Sequence, residues 1–302
     1  MKLSQLKAFL ITLDCGTFSQ AALELNMSQS AVSYAVAELE TSLGVTLLQR
    51  GRTGATATQI GAEIAVQTRQ VFQLTEAIQQ LASQETGALR GELNVLTFRS
   101  VASRVMPSVL SYLAKHHAGL RVNLVESSTN HAEVEHNLRE GRVDVAFVQL
   151  PFSDEFIQWE VLRDPYVVVR EAQNPKRAVR WRDFQATPLI LYGSHESTAV
   201  IEQYLKAELG DVKPAYQVEE DSTLIRMVSE GLGLTIMPQL AIDALPNNVE
   251  TAALPESLTR SIGIAIAPRG LKIPAVRTLI NVLKTQYPES KLPNLNAVKQ
   301  QS

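Results

Sequence analysis

The stretch Ser19–Leu43, SQAALELNMSQSAVSYAVAELETSL, reads as two short helices joined by a tight turn. The first spans Ser19–Leu25, with Ala21, Ala22 and Leu25 apolar on one side. Asn26 and Met27 break it, and Ser28 is placed to cap the second helix by accepting from its free N–H groups. In that second helix Val32, Ala35, Val36, Leu39 and Leu43 recur at three- and four-residue spacing and form one buried stripe. The opposite face carries Gln29, Ser30, Ser33, Tyr34 and Ala37, small or hydrogen-bonding groups with no long charged side chain before Glu38. Such a face suits close approach to base edges, where Gln pairs with adenine and Ser with several partners. Taken alone, the pattern equally fits a helical hairpin with a solvated face.

Outward from this stretch, Leu3–Leu13 is an amphipathic helix with Leu3, Leu6, Phe9, Leu10 and Leu13 on one side. Gly16 ends it, and Phe18 staples the next helix onto the same core. Gly44 ends the second helix of the pair. Val45–Leu48 then reads as a short strand, Gln49–Ala55 as a Gly-rich loop and Thr56–Thr58 as a second strand, a wing on the helical unit. Arg50 and Arg52 stand at that wing, within reach of a phosphate or a minor groove.

Gln59–Glu85 contains no Pro, and its one Gly, Gly61, lies in the first turn. Ile64, Val71 and Ile78 are spaced by seven, and so are Ile60, Gln67, Leu74 and Leu81. These interleaved sets form a coiled-coil seam on a helix of roughly 40 Å. The apolar stripe needs a partner, most simply a second copy of the chain. Gly87–Gly91 reads as a hinge. Beyond it strands and helices alternate: Glu92–Leu96, Val101–His116, Arg121–Val125, Ala132–Glu140 and Val143–Val148, then Tyr166–Val169, Leu189–Tyr192, Val200–Leu209, Ala215–Val218, Ser222–Glu230, Leu234–Met237, Ile262–Ala267 and Ile273–Tyr287. This rhythm implies a mainly parallel sheet covered by helices, in two α/β lobes.

Composition bounds the function. The 302 residues are 45% hydrophobic and 20% charged, those of a globular chain with more than one domain. A single cysteine, Cys15, excludes a disulfide framework and a multi-thiolate metal site. Lys7 interrupts the apolar run before Cys15, and Asp14 stands where a lipoprotein signal needs a small residue, so no export signal is expected and a cytoplasmic location is. The net charge of −3 gives no general attraction to nucleic acid. The first 90 residues hold six basic side chains (Lys2, Lys7, Arg50, Arg52, Arg69, Arg90) against seven acidic ones. Non-specific affinity per protomer is therefore low.

The order and spacing of Leu6, Phe9, Gly16, Phe18, Ser19, Ala21, Ala22, Leu25, Ser28–Ser33, Leu39, Glu40, Leu43, Gly44, Leu47, Arg50, Thr58 and Gly61 resemble the LysR-type transcriptional regulators. The pattern departs from that family at Leu48, Thr53 and Ala57. The resemblance implies an α/β protein with an N-terminal winged helix-turn-helix (1–58), a dimerising linker helix (59–89) and a two-lobed, periplasmic-binding-protein-like (type 2) effector domain (90–302). Lobe I would span about 91–161 and 268–302, and lobe II about 162–267. It also implies a homodimer or homotetramer on an imperfect palindrome in double-stranded DNA. A small effector would reset the DNA bend and the contact with RNA polymerase.

Carried over by position, DNA contacts fall on Ser19, Ser28, Gln29, Ser30, Ser33, Tyr34, Arg50, Arg52 and Thr58. Dimerisation falls on Ile60, Ile64, Val71, Leu74, Ile78 and Leu81. The effector lies between the lobes, against Thr97, Arg99, Ser100, Ser103, Glu126, Ser127, Ser128, Gln149, Ser194, Ser197 and Thr198. A helix N-terminus beside Arg99 favours an anionic metabolite, a carboxylate or phosphate. The competing expectation is that Arg99 pairs with a neighbouring acid, such as Glu126, and that the cleft takes a neutral molecule or nothing. No cofactor or metal is expected.

Enzymatic readings are weaker. His131 and His136 are five apart and cannot share a metal as an i, i+4 pair does. Gly231 and Gly233 follow a helix, where a dinucleotide loop follows a strand, and suit a helix end and tight turn. A cytoplasmic small-molecule-binding protein without a DNA target is the alternative.

Overall fold

The computed structural model describes residues 1–51, 54–85, 89–126, 130–193 and 196–295, apart from the side chains of Arg50, Gln84, Glu85, Glu196 and Ser197.

The N-terminal head is three helices and a hairpin: α1 (Leu3–Cys15), α2 (Phe18–Leu25), α3 (Gln29–Leu43), β1 (Leu48–Gly51) and β2 (Gly54–Ala57). Local chemistry sets each boundary. Gly16 ends α1 in the left-handed region, the Thr17 hydroxyl accepts from Gln20 N–H to start α2, and Asn26 ends α2 at φ 52°. The Ser28 hydroxyl accepts from Ala31 N–H at 3.1 Å and starts α3. Phe9, Val32, Leu39 and Leu47 are fully buried where the three helices meet the hairpin. The first strand starts later than the sequence pattern suggests, at Leu48, and the second starts earlier, at Gly54. The Glu40 carboxylate accepts from Leu47 and Leu48 N–H (2.7 and 3.1 Å), which holds the segment after α3 against that helix instead of in a strand. Gly54 has φ +126°, and a Cβ there would collide with the Gly16 carbonyl oxygen.

The linker helix α4 (Gln59–Glu85) follows directly. The C-terminal unit then runs β3 (Arg90–Thr97), α5 (Arg99–Arg104), α6 (Met106–His116), β4 (Gly119–Glu126), α7 (His131–Glu140), β5 (Val145–Leu150) and the 15-residue β6 (Ile157–Glu171). It continues through α8 (Trp181–Ala186), β7 (Ile190–Tyr192), α9 (Glu196–Leu209), β8 (Tyr216–Val218), α10 (Asp221–Ser229), β9 (Thr235–Pro238), β10 (Val249–Ala253), β11 (Thr259–Ile266) and α11 (Pro274–Gln286). The helix expected over 101–116 is two helices, α5 and α6. Pro107, in the first turn of α6, has no N–H to continue the earlier ladder. α8 and β10 have no counterpart among the elements expected from the sequence.

One sheet has the order β10-β6-β11-β5-β3-β4, with β9 also on β6. β3 is parallel to β4 and β5, whereas β11 is antiparallel to β5 and β6. The long β6 serves both lobes: residues 157–165 pair with β11, and 166–171 pair with β9 or β10. β11, expected in lobe II, pairs with β5 and so belongs to the first lobe's sheet. Phe147, Val95, Ile264 and Leu279 centre the first lobe's core; Val168, Leu191, Ile201 and Ile236 centre one core of the second.

Candidate DNA-reading face and interlobe cleft

Gln29, Ser30 and Tyr34 are exposed on α3, and Ser33 is half-buried beside them. Tyr34 is 67% exposed, although an aromatic ring ordinarily seeks cover. The Ser19 hydroxyl donates to Gln29 Oε1 at 3.3 Å, which ties the start of α2 to the start of α3. Ser28 and Ser30 hydroxyls lie 3.0 Å apart. Thr58 differs from expectation. Its hydroxyl donates to Thr46 O (2.8 Å) and accepts from Gly61 N–H (2.9 Å), so it caps α4 and is committed within the fold. Arg52 lies outside the described residues, as does the side chain of Arg50.

The linker helix has two distinct faces. Ile60, Val71, Leu74, Ile78 and Leu81 are exposed, Leu74 and Ile78 most fully, while Ile64 packs on the head. The other face docks on the first lobe. Along residues 90–93, among the described residues, no strand pairs with β3 on its β5 side: β5 pairs with Val95 and Leu96, and Asp144 N–H, just before β5, donates to Asn94 O at 2.9 Å. Side chains from α4 take that place. Ser83 Oγ accepts from Arg90 N–H (3.0 Å), Glu76 Oε1 accepts from Glu92 N–H (2.8 Å), and Gln80 Nε2 donates to Glu92 O (3.0 Å). Gln80 Oε1 also accepts from Ala275 N–H (2.9 Å), one of the free donors at the start of α11. At Gly91, with φ +124°, a Cβ would collide with the Glu76 carboxylate. The expected hinge at 87–91 is therefore partly wrong: Arg90 and Gly91 belong to β3, and residues 87 and 88 lie outside the described set.

Gln73 continues the junction by donating to Gly141 O and Asp144 Oδ1 (3.2 and 3.1 Å) and accepting from Arg269. Burial pushes the Asp144 carboxyl up, against the lowering influence of its donors Asn94 and Gln73. Asp14 of α1 takes a two-point bond from Arg69 (2.9 and 2.5 Å) and a third from Arg142 of the C-terminal unit at 3.3 Å. A cavity of about 700 Å³ lies between α1, α4 and the first lobe.

At the interlobe cleft, Thr97 ends β3, and Arg99, Ser100 and Ser103 lie on α5. Thr97 and Ser100 are buried, and Ser103 is exposed. Arg99 pairs with Glu220, the residue before α10 on the opposite lobe, and not with Glu126. Its second contact is Asp221 at 3.9 Å. Arg260 of β11 is buried; it bonds Asp164 (2.8 Å) and Ser100 Oγ (3.0 Å) and lies over the Phe98 ring at 5.3 Å. Tyr192 donates to Asp221, and burial followed by the charge of Asp221 raises its phenol. Gln149 is half-buried on β5, and Glu126 is exposed at the end of β4. Thr198 is buried with its hydroxyl unpartnered among the described residues. Ser127, Ser128 and Ser194 lie outside the described residues, as does the Ser197 side chain. Arg260, Asp164, Tyr192, Glu220 and Asp221 are absent from the sequence-based site. The helix behind Arg99 is six residues long, so the expected anion cue from a long helix is weaker than the sequence suggests.

This arrangement is a three-helix head with an exposed polar face on α3, joined through α4 to a two-lobed α/β unit. Residues 3–62 match the bacterial regulatory helix-turn-helix protein, lysR family, and residues 86–288 match the LysR substrate binding domain. The chain belongs to the LysR family of transcriptional regulators. It is 38% identical over 291 residues to a protein of Synechococcus elongatus named "Probable HTH-type transcriptional regulator LrrA", covering 96% of this chain and 98% of that one. A full-length OxyR variant from Pseudomonas aeruginosa shares the fold with a TM-score of 0.73 at 20% identity, covering 97 and 99% of the two chains. Full-length CbnR in complex with its target DNA gives 0.64 at 19% identity, covering 94 and 99%.

Proposed function

We propose that this regulator binds an imperfect palindrome in double-stranded DNA through Gln29, Ser30, Ser33 and Tyr34, with Ser19 and Ser28 supporting and Arg50 and Arg52 on the backbone or minor groove. It works in the cytoplasm as a homodimer or homotetramer and has no catalytic role. A small anionic effector in the interlobe cleft resets DNA bending and contact with RNA polymerase. The observation that carries this reading is the exposed polar face of α3, on a head whose linker helix leaves an apolar stripe open to a second copy. Duplicated heads offset the weak charge of one head by raising effective concentration. Among the described residues no helix is long and apolar enough to cross a membrane.

Gln29→Ala or Ser33→Ala is expected to abolish operator binding in a gel-shift titration at fixed salt, with the oligomer intact. Unchanged affinity removes these residues from the reading face. A relative in Mycobacterium leprae, 29% identical over 272 residues, is named "Probable hydrogen peroxide-inducible genes activator". The one cysteine of this chain, Cys15, lies in the head. A sensor-domain thiol therefore cannot serve this chain as a peroxide sensor.

A further inference from the structure

We infer that Glu220 is a built-in occupant of the anion position on Arg99, so that an effector's carboxylate or phosphate group binds by displacing it. The inference rests on the anionic-effector reading above. Arg99 and Glu220 come from opposite lobes and meet through two hydrogen bonds, that from Nη2 to Oε1 being 3.0 Å. Their side chains are 52 and 55% exposed. A solvated ion pair of this kind holds its partners weakly and exchanges readily. Glu220 precedes α10, yet its carboxylate makes no capping bond to that helix.

The second cleft arginine behaves differently. Arg260 and Asp164 are 5 and 3% exposed, and Arg260 is also held by Ser100 and Phe98. Taking Asp164 away would strand a buried charge. Of these two arginines, Arg99 is the one able to exchange its carboxylate for an incoming one. Because Glu220 also ties the lobes together, the same exchange changes how they are held.

The test uses the full-length chain. Hydrogen exchange without any ligand should be faster at α5 and α10 in Arg99→Gln and Glu220→Gln, and restored in the swap Arg99→Glu with Glu220→Arg. Calorimetry with acetate, succinate and inorganic phosphate should show Glu220→Gln binding at least one of them about fivefold more tightly than the native chain. Unchanged exchange in both single variants overturns the inference. Equal affinity in native and Glu220→Gln chains, lost in Arg99→Gln, overturns it while leaving the anionic effector standing. If no probe binds Glu220→Gln, whose Arg99 is released, the anionic reading fails and takes the inference with it.

Discussion

Replacing Gln80 by Leu removes the side chain that joins α4, β3 and α11 while keeping nearly the same volume. Gln80 is fully buried, donates to Glu92 O at 3.0 Å and accepts from Ala275 N–H at 2.9 Å. Ala275 is itself fully buried, so its N–H would have no acceptor, at about 1–3 kcal/mol. The lost bond to Glu92 adds about 1 kcal/mol, for a total of about 2–4 kcal/mol. For a domain of this size that lowers the melting temperature by roughly 5–15 °C. Calorimetric melting of the full chain measures it, with exposed Gln79→Leu as a control within about 0.5 kcal/mol of native. A Gln80→Leu melting temperature equal to the control's would refute the docked linker helix.

Three other perturbations follow from the same geometry. Ile78→Glu with Leu74→Glu places two charges in the exposed stripe and should shift sedimentation toward the monomer; unchanged mass would remove the stripe from the interface. Gly54→Ala must adopt φ +126° and displace the Gly16 carbonyl, costing about 1–3 kcal/mol in the head's melting. Asp144 has a raised carboxyl, so folding favours its protonated form. Its contribution is largest below the unfolded value of about 3.9 and is lost as pH rises through the raised value. Native stability relative to Asp144→Asn should therefore fall as pH rises above the unfolded carboxylate value of about 3.9 in urea titrations; a rise would contradict the assigned direction.

The head was legible because its signals are local. Gly16, Asn26, Ser28 and Gly44 mark helix ends through backbone conformation and capping, within a few residues of the pattern they punctuate. The apolar stripe of α4 was legible for the same reason. Its second face carried a readable cue too, since Gln73, Glu76, Gln80 and Ser83 recur at three- and four-residue spacing, but their partners on β3 and α11 are set by the tertiary fold. The cleft was least legible. Arg260 meets Ser100 across 160 positions and Arg99 meets Glu220 across 121, so sequence proximity to Glu126 pointed to the wrong acid.

Footprinting of the full-length chain on promoter fragments recovered by genome-wide mapping tests the central claim most directly. Two protected half-sites on one face of the duplex, about one helical turn apart or a multiple of it, are predicted for the native chain. Gln29→Ala should lose both. Protection that survives Gln29→Ala unchanged, or the absence of sequence-specific protection on every fragment, would contradict a paired reading head built on α3.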